Sequence, residues 1–232
     1  MHLEEARKEL RKYGNKEKAR FLRRFFKTGP GEYAGADVLI GVKVPDTRKV
    51  SVKFQDLPVK EVLTLFKSPI HEERLLALLI LIRKYSKANG KEKENIFNLY
   101  LKHTKFINNW DLVDLSAPNI VGAFLEDKDK RLLYKLANSR LLWERRIAIL
   151  ATFYFIKNKK LEETLKISEL LINDKHDLIH KAVGWMLREL GKRDRSLEEL
   201  FLDKHYSVMP RTMLRYAIEK FPEDKRKKYL RK

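Results

Sequence analysis

Residues 75–82 read Leu-Leu-Ala-Leu-Leu-Ile-Leu-Ile and form the longest apolar run of the chain, directly after Arg74. Within and beyond this run, apolar residues recur at intervals of three and four, which is typical of one broad helical face. The run is far shorter than the ~20 residues that a membrane span requires. The same spacing recurs twice, at Ile147, Leu150, Ala151 and Tyr154 and at Val183, Met186, Leu187 and Leu190. We therefore predict an all-α protein with no membrane segment.

Residues that break helices are few and concentrated in one place. The chain has 9 Gly and 7 Pro in 232 residues, and residues 28–45 hold a large share of them. This segment predicts an ordered loop between the N-terminal helices and the rest of the chain. We expect a single helical domain over residues 1–232, in which residues 1–57 contain the N-terminal helices and the loop and residues 58–232 form repeats.

The repeat prediction rests on five helices that follow one another at nearly constant intervals. Four intervals of about 36, 36, 35 and 30 residues separate their reference positions, which are Arg74, Trp110, Arg146, Lys181 and Arg211. Each interval leaves room for a second helix, at residues 92–102, 129–138, 161–172 and 197–203. Two helices per interval favour an α-solenoid of HEAT-like antiparallel helix pairs. An irregular helical bundle with the same element lengths is the alternative.

The charge of the chain indicates a polyanionic partner. Lys and Arg total 51 against 32 Asp and Glu, which gives 51 − 32 = +19. This surplus favours nucleic acid first and an anionic membrane second, and the absence of Cys excludes disulfides and cysteine-bound zinc. In a solenoid, the reference positions would line a concave basic groove. We expect phosphate contacts from Arg74, Arg146, Lys181, Arg211 and Arg215 in a soluble, cytoplasmic protein.

The segment Trp110-Asp111-Leu112-Val113-Asp114 is the sharpest candidate site. Trp110 and Asp114 lie four residues apart and therefore share one face of a helix. Asn108 or Asn109 could cap that helix, and Asp111 would then lie in its first turn, where the helix dipole favours a carboxylate. Asp114 lies too deep for capping. It either has a function or forms an ion pair with Arg145 or Arg146.

Two other features have a structural and a functional interpretation. Gly184 interrupts a helix at a cost of about 1 kcal/mol relative to Ala, which indicates that a neighbouring helix or a ligand approaches its backbone closely. Trp185 next to it is either a core residue or a groove aromatic. His176 and His180 lie four residues apart without a further ligand, so we predict no metal site.

Several motifs together resemble the DNA alkylation repair family, the AlkD-like HEAT-repeat DNA glycosylases. Besides the Trp110–Asp114 segment, they are Phe25-Phe26-Lys27-Thr28-Gly29, Gly41-Val42-Lys43-Val44-Pro45, Leu142-Trp143-Glu144-Arg145-Arg146 and Lys181-Ala182-Val183-Gly184-Trp185. Their order and spacing along the chain agree with the family. The loop at residues 28–37 departs from the shorter aromatic segment of the best-known members. Tyr33 is a weak candidate for the family's third groove aromatic.

The resemblance implies a monomeric, cofactor-free enzyme that excises N3- and N7-alkylated purines from double-stranded DNA of the nucleoid. It implies that Asp114 is the catalytic carboxylate, that Trp110 and Trp185 flank the lesion, and that Arg146 binds phosphate. The sequence leaves two alternatives open. The chain could be a non-catalytic solenoid that recognises distorted or branched nucleic acid, or a protein-interaction scaffold.

Overall fold

The computed structural model describes residues 2–35 and 37–231, and its regular secondary structure over these residues is helical. This confirms the all-α prediction. The helices are α1 Leu3–Arg11, α2 Lys16–Phe25, α3 Val44–Lys53, α4 Val59–Phe66, α5 His71–Lys87, α6 Gly90–Lys102, α7 Trp110–Ala117, α8 Ala123–Leu125, α9 Arg131–Ala137, α10 Leu142–Lys157, α11 Glu162–Leu170, α12 Asp177–Gly191, α13 Arg195–His205, α14 Arg211–Ala217 and α15 Glu223–Leu230. Two 3₁₀ turns span Thr104–Phe106 and Ile218–Lys220, and a π-helical turn, Pro118–Gly122, joins α7 to α8.

The predicted helix spacing agrees with the structure. The five reference positions fall in α5, α7, α10, α12 and α14, and the four second helices correspond to α6, α9, α11 and α13. Their predicted ends differ from the observed ends by a few residues, as expected for helix boundaries read from sequence.

The chain divides into two units, the first ending at Ser116 and the second beginning at Ala117. In the first unit, α5 is the central helix and packs against α3, α4 and α6, while α1 packs against α3 and α4. The apolar run at residues 75–81 is almost fully buried, so it forms the core of this unit. The domain boundaries expected from the sequence stay a prediction.

In the second unit, the helices form two layers. Helices α10, α12 and α14 contact one another in succession. On the other side, α9 and α11 pack against α10, and α11 and α13 pack against α12. This alternation between two helix layers agrees with the helix pairs that the repeat spacing predicts.

The glycine-rich segment lies between α2 and α3, and it ends where α3 begins at Val44 rather than at residue 45. The buried Glu72 carboxylate of α5 accepts hydrogen bonds from the backbone N–H groups of Ile40, Gly41 and Val42. Val38 pairs with the backbone before α5, because its N–H donates to Pro69 O and its carbonyl accepts from His71 N. These bonds fix the loop to the start of α5.

No helix in the described ranges is long and apolar enough to cross a membrane.

Candidate active site and nucleic-acid interface

Helix α7 carries the predicted catalytic pair, and Asn109 fixes its start. The Asn109 side chain donates to the carbonyl of Phe26 at 3.0 Å and accepts from the N–H of Trp110 at 2.9 Å. Asn109 is fully buried, so both bonds are shielded from water. The predicted cap of this helix is therefore Asn109, and it also joins α7 to the end of α2.

Trp110 is half-buried among aromatic rings from α2. Its ring centroid lies 5.4 Å from that of Phe25 in an edge-to-face arrangement and 5.5 Å from that of Phe26. Phe26 is buried whereas Phe25 is half exposed. Trp110 is consequently supported on one side and accessible on another, as a ligand-contacting aromatic must be.

Asp114 follows Trp110 by one helical turn and is also half-buried. It lies near the buried Tyr100, whose hydroxyl pairs with Ser116 Oγ at 2.9 Å. Burial and the negative charge of Asp114 both raise the pKa of Tyr100, so this phenol stays neutral. The Asp114 carboxylate is therefore close enough to Tyr100 of α6 to interact with it electrostatically, and it is not sealed from solvent.

Beneath Trp110, His71 links two carboxylates in a buried chain of hydrogen bonds. His71 Nε2 lies 2.9 Å from Asp111 Oδ2, and His71 Nδ1 lies 3.2 Å from Asp37 Oδ2. Burial lowers the pKa of His71, but the charge of Asp111 and the bonds to both carboxylates outweigh it and raise the pKa to about 9. His71 is thus a cation at neutral pH, and its ring stacks on Phe26 with centroids 4.7 Å apart.

Arg74 completes this network from α5. Its guanidinium pairs with Asp37 and donates to Asn108 Oδ1 at 2.9 Å and to Ser68 O at 2.8 Å. Arg74 is only 3% exposed. The predicted contact between Arg74 and phosphate stays a prediction. Two observations argue against it: the side chain is buried, and its guanidinium is bonded to three protein groups. Asp111, expected to interact with the helix dipole, has His71 as its partner.

In the second unit, Arg146 is also largely buried. It is 5% exposed, and its Nη1 donates to the carbonyl of Leu178 in α12. Arg145 next to it pairs with Asp174 at 2.6 Å within the same unit. The contact to Leu178 joins α10 to α12, so Arg146 has at least a structural role, and phosphate binding by Arg146 remains a prediction.

Trp185 lies half-buried on α12. Its indole N–H donates to Glu189 Oε1 at 3.3 Å, and its ring lies 5.9 Å from that of Phe153 in α10. The adjacent Gly184 is explained by a helix rather than by a ligand, since a Cβ there would lie 2.3 Å from Met213 O of α14. Trp185 is not sunk into the core, and its predicted DNA contact stays open.

The remaining predicted phosphate ligands lie at or near the surface. Arg211 and Arg215 are exposed on α14, and Arg211 donates to the carbonyl of Leu230 at 2.8 Å. Lys181 is half-buried and pairs with Asp177 at 2.7 Å. The weak candidate Tyr33 is half-buried in the loop after α2. Among the predicted cations, Arg215 is therefore the side chain most accessible to phosphate.

The sequence analysis assigned no site role to His71, and none to Phe25 although Phe25 belongs to one of the family motifs. The signal for Phe25 was present, because Phe21 and Phe25 lie one helical turn apart on a strongly basic helix. No comparable signal marked His71, whose carboxylate partners are 34 and 40 residues away in the chain.

The family model described as "DNA alkylation repair enzyme" matches residues 6–221. A solved structure from Enterococcus faecalis, described as a predicted DNA alkylation repair enzyme, superposes with a TM-score of 0.70. It is 15% identical in sequence, and the match covers 90% of this chain and 97% of that chain. The likeness to this structure concerns the fold. No curated protein sequence matches the chain.

Proposed function

The chain belongs to the DNA alkylation repair enzyme family, which supports an enzymatic role in DNA repair, and from this premise we propose that it is a monofunctional DNA glycosylase. In this proposal it hydrolyses the N-glycosidic bond of cationic N3- and N7-alkylated purines in double-stranded DNA. It acts as a monomer on the nucleoid in the cytoplasm, without a cofactor or metal. The observation that carries the proposal is the placement of Asp114 and Trp110 one turn apart on α7, both half-buried.

A cationic purine is a good leaving group, which explains why so few groups are needed. As the bond between C1′ and the base nitrogen breaks, its electron pair goes to the purine and neutralises it. The base therefore departs without a general acid. The sugar is left as an oxocarbenium-like cation, as in other glycoside hydrolysis. Water attacks C1′ and loses a proton, which leaves an abasic site and the free base.

Asp114 has the chemistry for the remaining task. A carboxylate stabilises the developing positive charge on the sugar and orients the attacking water. Its half-buried position strengthens this interaction relative to bulk water. The same mechanism is inadequate for a neutral, stable base, so we expect activity to be restricted to labile alkylated purines.

Aromatic faces provide the second component of the proposed site. The indole of Trp110 attracts positive charge on the lesion or on the sugar by about 0.5–2 kcal/mol, and Phe25 contacts that indole in an edge-to-face arrangement. Trp185 and Arg146 of the second unit are proposed to contact the lesion-bearing strand and a phosphate, respectively. Arg211, Arg215 and Lys181 are proposed as further phosphate contacts. The support is the positive charge of all three and the exposure of Arg211 and Arg215.

The test is release of free base from N-methylated duplex DNA, followed by chromatography for 7-methylguanine and 3-methyladenine. We expect Asp114→Asn to bind the duplex as the wild type does and to release base at least 100-fold more slowly, the scale of a lost electrostatic stabiliser. Asp127→Asn is the matched control, because that carboxylate is 81% exposed and pairs with Lys160, a half-exposed residue just before α11.

Two results would contradict the proposal. Equal base release by the wild type and Asp114→Asn removes the catalytic role of this residue. Salt-sensitive DNA binding without any base release favours the alternative, a non-catalytic helical-repeat protein that recognises distorted or branched DNA.

A further inference from the structure

The outer face of α2 exposes two phenyl rings to solvent. Phe21 is 68% exposed and Phe25 is 50% exposed. The buried face of the same helix already packs its apolar residues Ala19 and Leu22 against the first unit, in a cluster that includes Phe26. Phe25 touches this cluster through Phe26, with ring centroids 5.2 Å apart, but both rings remain largely exposed. Exposed aromatics beside a candidate site are a common sign of an interaction surface.

These rings extend the candidate site in a row. Phe21 and Phe25 lie nearly parallel, with an interplanar angle of 15° and centroids 6.2 Å apart. Phe25 in turn contacts Trp110 at 5.4 Å. Three aromatic side chains thus run continuously from the half-buried indole to the exposed surface of α2.

Basic residues flank the row. Helix α2 carries one acidic residue, Glu17, and five basic residues, which are Lys16, Lys18, Arg20, Arg23 and Arg24. Arg20 and Arg24 lie one turn apart, directly beside Phe21 and Phe25 in sequence, so the two rows run parallel along the helix. Within residues 2–35 and 37–231, no ion pair involves the three arginines of this helix, and all three are exposed.

We propose that Phe21 and Phe25 form a stacking surface for an unpaired nucleobase of the DNA, and that Arg20 and Arg24 bind the phosphates of the same strand. This inference rests on the proposed function, since it places the base next to Trp110 and Asp114. Aromatic rings alternating with cations are the combination by which proteins bind unpaired nucleotides, and every base offers a face for stacking.

The composition of α2 favours a nucleobase over a lipid surface. A helix that lies in a membrane interface needs a wide apolar face, whereas the remaining apolar residues of α2 are packed against the protein. Two phenyl rings between arginines provide a small stacking area with strong positive charge. That area matches one base and its neighbouring phosphates.

The experiment compares two duplexes without alkylated bases, one fully paired and one with a single bulged 2-aminopurine. The wild type is expected to bind the bulged duplex more tightly and to quench the 2-aminopurine fluorescence. Phe21→Ala should weaken binding to the bulged duplex by roughly 5- to 100-fold while its affinity for the paired duplex is unchanged. Phe21→Leu should show the same loss, and Phe21→Tyr should retain wild-type binding.

Leu200→Ala is the matched control, because Leu200 is 69% exposed on α13 and should behave as the wild type does. Arg24→Gln should weaken binding to both duplexes equally. It should also lower the slope of log affinity against log salt concentration by about one, the value expected for one lost phosphate contact. The proposal is overturned if the wild type does not prefer the bulge, or if Phe21→Leu binds the bulge normally. Phe21-dependent binding to phosphatidylglycerol vesicles without a bulge preference overturns it as well.

This test needs no lesion and no chemistry. Base release from methylated duplex is measured separately with the wild type. If base release fails while the Phe21-dependent bulge preference persists, the glycosylase proposal is wrong and the stacking surface stands. If base release succeeds and the preference is absent, the stacking surface alone is wrong.

Discussion

At the scale of single residues, His71 connects the loop after α2 to the first turn of α7. Its protonated ring lies between the buried carboxylates of Asp37 and Asp111 and offsets their negative charge. Arg74 faces the same cluster and opposes the charge of His71, while Phe26 covers the ring. Because one carboxylate comes from the loop after α2 and the other from α7, His71 connects three segments that position Trp110.

The raised pKa of His71 predicts how stability depends on pH. Its pKa is 6.5 when unperturbed and about 9 in the folded protein, so the folded state holds this proton more tightly. The stabilisation is fully present below pH 6.5 and is lost as the pH rises through 9. The shift corresponds to roughly 3 kcal/mol.

We expect the free energy of unfolding to fall between pH 6.5 and 9, measured by urea unfolding at several pH values. His71→Gln should be less stable at pH 6 by a few kcal/mol, because the buried carboxylate of Asp111 loses its cation and that of Asp37 is left with Arg74. Its pH dependence in this range should be flatter. His103→Gln, in the same unit, is the control. An equally steep pH dependence in His71→Gln would assign the effect to another group.

At the scale of secondary-structure elements, close helix packing accounts for the glycine in α12. Gly184 lies where α14 crosses α12, and an added Cβ would meet Met213 O at 2.3 Å and Tyr216 Cβ at 2.6 Å. Neither neighbour is the flexible end of a side chain. The backbones of the two helices can approach this closely only because residue 184 lacks a side chain.

Gly184→Ala therefore sets two effects of opposite sign against each other. Alanine favours the helical backbone by about 1 kcal/mol, but overpacking against a rigid backbone typically costs about 1–3 kcal/mol. We expect net destabilisation, seen as a lower midpoint in thermal unfolding. Gly90→Ala is the control, because a Cβ at Gly90 of α6 meets nothing within 4 Å, so it should be neutral or stabilising. A stabilised Gly184→Ala would show that α14 can move away freely.

At the scale of the whole molecule, the positive charge is the dominant property. A surplus of 19 charges on 232 residues gives long-range attraction to DNA that salt screens. The individual cations differ in their availability, however. Arg215 is exposed, whereas Arg74 is occupied by Asp37, Asn108 and Ser68 inside the first unit.

This difference predicts distinct consequences for the two arginines. We expect the affinity for unmodified duplex DNA to fall steeply from 50 to 200 mM salt, as counterion release requires. Arg215→Gln should reduce the slope of log affinity against log salt by about one without changing the unfolding midpoint. Arg74→Gln should lower that midpoint, because the buried carboxylate of Asp37 loses one of its charge partners and is left with His71. Unchanged stability of Arg74→Gln together with a reduced slope would instead make Arg74 a phosphate ligand.

The sequence by itself determined the features that depend on local periodicity. Apolar residues at helical spacing specify which segments are helices and which face each one buries, and the four-residue step from Trp110 to Asp114 places both on one face. The family could likewise be identified from short motifs in order, since motifs are local too. For these properties no knowledge of distant contacts was needed.

Only the tertiary structure decided which distant side chains meet. His71 lies between carboxylates 34 and 40 residues away, Phe25 lies against Trp110, and Arg74 points into the protein rather than to solvent. Helical periodicity gives the direction of a side chain around its own helix axis. It does not give the packing of one helix on another, and that packing determines whether a charged residue finds a buried partner or faces water.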